Sequence, residues 1–136
     1  MEKEFVTYEQ ALALKGLGFD EDCFASFFIP NLYSIKFTAT TKKNSTLLMG
    51  GLGCTAPLKQ QVLRWFREKN DIVITCIFAI DVSTSYKKGH RYSWDVIFKS
   101  NEWIKDNTLL GYLTYEGAEN ACIDKLIEIA KANNAH

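Results

Sequence analysis

Ala56-Pro57-Leu58-Lys59-Gln60-Gln61-Val62-Leu63-Arg64-Trp65-Phe66-Arg67-Glu68-Lys69, then Asn70-Asp71, then Ile72-Val73-Ile74-Thr75-Cys76-Ile77-Phe78-Ala79-Ile80-Asp81-Val82, is the stretch that decides the fold. Leu58, Val62, Trp65, Phe66 and the stem of Lys69 recur at the spacing of one helical face. Lys59, Gln60, Arg64, Arg67 and Glu68 fall on the other. Thr55 is placed to cap this helix and Pro57 to occupy its first turn. Asn70-Asp71 breaks it. The run 72–82 is apolar on both parities apart from Thr75 and Asp81, which predicts a strand in the middle of a sheet.

Working outward, Thr7-Tyr8-Glu9-Gln10 has the form of a capping box and opens a short helix through Lys15, stopped by Gly16 and Gly18, with Phe19 anchoring the exit. Asp20-Glu21-Asp22 reads as a solvated turn. Residues 23–29 read as a strand, or alternatively a short helix. Residues 32–40 alternate as a strand, Lys42-Lys43-Asn44 as a hairpin tip and 45–49 as the return strand. Beyond 82, residues 83–89 form a polar loop. Residues 91–99 then alternate Tyr92, Trp94, Val96 and Phe98 against Arg91, Ser93, Asp95 and Lys99, which predicts an antiparallel hairpin with 72–82. Thr114 caps a last helix from Tyr115 to about Ala132, with Tyr115, Ala118, Cys122, Leu126 and Ile129 on its apolar stripe. The expectation is a single α+β domain over residues 1–136. Its core is a largely antiparallel sheet of four to six strands, with three helices packed mainly on one face.

A chain of 136 residues, 47% hydrophobic and 24% charged, can bury a core without staples. No apolar run approaches the roughly 20 residues of a membrane span, and the first residues carry no signal-peptide core. We therefore expect a cytoplasmic protein with no membrane partner. Cys23, Cys54, Cys76 and Cys122 lack metal-ligand spacing and read as reduced thiols, so neither a metal nor any other cofactor is expected. The formal charge is zero, but residues 36–91 hold ten Lys and Arg against three Asp and Glu. That basic middle is either a surface neutralised by acidic flanks or an anion-attracting face.

No P-loop, nucleophile elbow or HExxH pair is present, and two histidines leave little for acid–base catalysis. An enzyme is the less favoured reading. One constellation suggests binding. If the strand 72–82 runs back to the start of the preceding helix, it delivers Lys87, Lys88, His90 and Arg91 to the N–H groups of Ala56 and Leu58, beside Thr55. Cations at a helix N-terminus suit a small anion such as a nucleotide; the plainer reading is a solvated loop. Arg64 and Arg67, three apart on the outer helix face, are candidates for a partner's carboxylate or phosphate. Tyr92, Trp94 and Phe98 either pack in the core or stack bases.

The segments Thr7-Tyr8-Glu9-Gln10-Ala11-Leu12-Ala13-Leu14-Lys15 through Gly18-Phe19-Asp20-Glu21, Ala56-Pro57-Leu58-Lys59-Gln60-Gln61 through Trp65-Phe66-Arg67-Glu68-Lys69, and Tyr115-Glu116 to Leu126-Ile127-Glu128 resemble a family of small uncharacterised proteins. That family is encoded in phages, prophages and mobile elements of Bacteroides-type gut bacteria. The resemblance implies a binding protein, acting in the host cytoplasm on a host protein or a small anionic ligand. It carries no site residue with it. The alternatives are a nucleic-acid-associated accessory protein using the basic segment, or a small hydrolase or transferase using Asp81, Asp95 or His90. Eighteen aromatic residues in so short a chain also allow a homodimer.

Overall fold

A computed structural model describes residues 2–28, 31–47, 53–83, 88–106 and 111–134. The chain divides into two compact units, Met1–Val62 with Ile127–His136, and Leu63–Leu126. The fold is α+β, with three helices and antiparallel strand pairing throughout. Among the described residues six strands form two sheets of three, rather than the one sheet expected.

In the first unit a short 3-10 turn, Glu2–Glu4, leads to Phe5, which bridges Leu58 in antiparallel fashion. Val6 donates its N–H to the Pro57 carbonyl at 3.1 Å. Helix α1, Tyr8–Gly16, begins as its sequence predicts. Gln10 donates its N–H to Thr7 Oγ1 at 3.2 Å, and Thr7 returns its own N–H to Gln10 Oε1 at 3.0 Å. The helix ends with Gly18 at φ +93°, donating to the Lys15 carbonyl, while Phe19 donates to Leu14. This pair of reversed bonds satisfies the last carbonyls, and the side chains of Leu14 and Phe19 are both buried. Beyond it, Asp20–Asp22 is more than a solvated turn. The Asp20 carboxylate accepts the Ser45 N–H at 2.7 Å, which holds its carboxyl below the usual value. Gln61 donates to the Glu21 carboxylate and the Asp22 carbonyl.

Strand β1, Cys23–Phe28, lies in the centre of the first sheet, between β2, Asn31–Lys42, and β3, Cys54–Thr55. The register sets Ser26 opposite both Lys36 and Thr55. Thus β2 pairs with the strand before it, and among the described residues of the predicted return strand none pairs with it. Residues 44–46 form a 3-10 turn, and 48–49 lie outside the described residues. Asn44 explains the turn: its amide donates to the Phe19 carbonyl at 2.7 Å and accepts the Thr55 N–H at 2.9 Å.

Helix α2, Lys59–Lys69, starts later than its sequence suggests and crosses the border between the units. Its burial corrects the predicted faces at three places. Val62, Trp65 and Phe66 are buried as expected, with Leu63 beside them, but Lys59 is buried too, Leu58 is 41% exposed and Lys69 is exposed.

In the second unit β4, Ile72–Ser83, pairs with β5, Lys88–Phe98, in the predicted hairpin, from Ile72 opposite Phe98 to Ser83 opposite Lys88. A short β6, Trp103–Lys105, adds on the far side, so among the described residues β5 is the central strand and β4, expected in the middle, has a neighbour on one side. Of the three aromatics for which core packing or base stacking was open, Trp94 is a core residue, beside Val96, while Tyr92 and Phe98 are half-buried. Gly111, at φ +68°, lets the chain return against β5: Tyr92 and Tyr112 exchange N–H···O bonds of 2.8 Å. Helix α3, Tyr115–Asn134, follows the predicted Thr114, whose hydroxyl accepts the Gly117 N–H at 3.0 Å. No helix is long and apolar enough to cross a membrane.

Candidate functional site

The anion site reasoned from the sequence requires an open helix N-terminus at Ala56 and Leu58. The Ala56 N–H is already used, and no helix starts there. Ala56 donates its N–H to the Ala25 carbonyl at 2.8 Å, Leu58 bridges Phe5, and the helix begins at Lys59. Thr55 is fully buried in β3 and caps nothing. Its hydroxyl lies beside the Cys23 thiol, whose pKa burial pushes up to about 11. The backbones of Lys88 and His90 stand on β5 opposite Ser83 and Asp81, and Arg91 is half-buried opposite Ile80. Lys87 lies outside the described residues.

The two arginines of α2 separate in role. Arg67 donates from Nη1 to the Thr75 hydroxyl at 2.9 Å, so its guanidinium fastens the helix to β4. Arg64 keeps to the exposed face. Of the carboxylates weighed for catalysis, Asp95 lies half-buried on β5 opposite Lys105. Among the described residues no three His, Cys, Asp or Glu side chains gather as a metal would require.

A different site is built on α1. A groove of about 630 Å³ runs along this helix, lined by Tyr8, Glu9, Leu12, Ala13, Gly16 and Leu17 and closed by Lys131 and Asn134 from the end of α3. All eight residues belong to the first unit. Its volume falls in the range of binding sites, and its wall is mostly apolar. Helix α1 makes this possible because it is apolar on two sides. Tyr8, Ala11 and Leu14 turn into the core, while Leu12, Ala13 and Leu17 stay half-buried along the groove. The Tyr8 ring is held edge-on against Phe27, with centroids 5.6 Å apart. The carbonyls of Ala13, Leu14 and Lys15 are already capped by the chain's own N–H groups, so the C-terminal end of the wall presents little polar backbone.

Glu9 and Lys131 stand exposed at the rim, and neither forms an ion pair among the described residues. The groove thus offers one carboxylate and one ammonium beside its apolar wall. A smaller hollow of about 270 Å³, lined in part by Phe5, Phe27 and Ile35, shares Thr7-adjacent Tyr8 and Glu9 with it.

Sequence reasoning missed this groove because two of its eight lining residues, Lys131 and Asn134, come from the far end of the chain. The signal that pointed to it was the excess of apolar residues on α1, more than one stripe needs. Compared with known proteins, the chain matches no family model, no curated protein and no solved structure.

Proposed function

We propose that this chain is a non-enzymatic binding protein of the kind phages and mobile elements carry, and that it engages a host protein through the groove along α1. The observation that carries this reading is the half-exposed apolar wall of Leu12, Ala13 and Leu17, rimmed by Glu9 and Lys131. A small ligand would need most of its surface enclosed to bind well, and this groove is open at its rim. A protein partner brings its own cover and needs to bury only a few apolar anchors. The groove therefore favours the host protein over the nucleotide-like anion among the two targets that the sequence suggests. The resemblance to mobile-element proteins supplies the host context.

A photo-crosslinking residue in place of Leu12, with the same residue in place of exposed Lys69 as control, tests the reading. The expected result is an adduct specific to position 12, whose protein partner then binds the purified wild-type chain. Leu12→Arg, checked for intact folding by circular dichroism, should weaken that binding at least tenfold, about 1.4 kcal/mol. Equal adducts from both positions, or unchanged binding by Leu12→Arg, would overturn it. So would a small anion found bound to the purified protein by native mass spectrometry and released by filling the groove.

A further inference from the structure

In the second sheet β5 is bonded on both sides, whereas β4 has one edge without a strand among the described residues. Such an edge presents a row of backbone N–H and C=O groups that another strand can take up, and proteins commonly guard it with lysine, proline or bulges. The outer strand of the other sheet is guarded in this way. β2 carries Lys36 and Lys42, and its pairing with β1 shifts register twice. β4 is not. Its one irregularity lies at its start, between Ile72 and Ile74, and residues 75–83 contain no lysine, arginine or proline. The strand is twelve residues long, and Val73, Cys76 and Ala79 along it are exposed.

We propose that this edge is a self-association surface, where β4 of a second copy of the chain adds antiparallel about a two-fold axis. Two three-stranded sheets then become one of six strands. The sequence of β4 favours its own copy as the occupant. Reversed against itself with Ile77 on the axis, the strand sets Cys76 opposite Phe78, Thr75 opposite Ala79 and Ile74 opposite Ile80. Asp81, its one charge, stands opposite Val73 at either end, so no like charges meet. A pairing of this kind closes on itself and leaves neither β4 edge open. It is separate from the groove on α1, whose lining lies in the other unit.

Sedimentation equilibrium over the micromolar range tests the proposal. The wild-type chain should be a dimer, and Val73→Lys with Ala79→Lys should raise its dissociation constant at least tenfold. Both positions are exposed, so the variant should keep its circular dichroism spectrum. Alkylation of Cys76 gives a second reading in the unaltered protein, because the other three thiols are buried. Its rate should fall as protein concentration rises. A monomer throughout the range would overturn the proposal. A dimer that the two lysines leave intact, with Cys76 alkylated at a constant rate, would do so equally.

Discussion

Burial holds three of the four cysteines as neutral thiols. It pushes Cys23 and Cys54 up to about 11 and Cys122 up to about 12, from an ordinary 9.0. Because their folded values are raised, the stability linked to them is complete below pH 9 and is lost as pH climbs through the folded values. The cysteines should therefore leave thermal melts level just below pH 9 and make them fall above it. Cys122→Ala, compared with wild type, should make that alkaline decline shallower. Glycines give a second residue-scale expectation. At Gly18 a side chain would meet nothing within 4 Å, so Gly18→Ala carries only the left-handed backbone, about 1 kcal/mol. At Gly111 a Cβ would sit 2.6 Å from the Tyr92 carbonyl, against the bridge that Tyr112 makes there. Gly111→Ala should cost roughly 3 kcal/mol or more in denaturant titration. If the two variants melt alike, the close approach at Tyr92 is wrong. The glycine at 18 was legible as a helix stop from its neighbours. The one at 111 was not, because its requirement comes from a strand twenty residues earlier.

At the scale of elements, legibility followed the range of the interactions. Helix α1 could be read end to end because Thr7, Gln10, Gly18 and Phe19 act on backbone within a turn or two of themselves. The hairpin of β4 and β5 could be read for the same reason, its alternation being plain in both strands. The start of α2 could not. Thr55 and Pro57 are good helix openers, but β1 and the residues before α1 claim the backbone of 56–58 first, and tertiary hydrogen bonds override local preference. β3 is two residues long, too short for any period to show. β4 was misplaced for a subtler reason. Apolar side chains on both parities show a strand with little need of water, but not which neighbours it has. Here a strand with a register shift near Ile72, and with a neighbour on one side only among the described residues, shows the same pattern as one buried in the middle.

At the scale of the molecule, the fold class was legible and the division into two units was not. The borders fall inside α2 and α3, at Val62–Leu63 and Leu126–Ile127, where the sequence is uninterrupted helix. No linker of glycine, proline or serine marks them. The candidate groove was hidden for a related reason, since Lys131 and Asn134 are more than a hundred residues from the helix that they close upon. This discontinuity has a consequence for synthesis. A ribosome delivers the chain from its first residue, and the unit Leu63–Leu126 is complete in one continuous length. The other unit is made first and finished last, because Ile127–His136 belongs to it. Nascent chains arrested before residue 127 should leave residues 2–62 open to a protease that the released protein resists. Translation thus keeps the groove unassembled until Lys131 and Asn134 have been made.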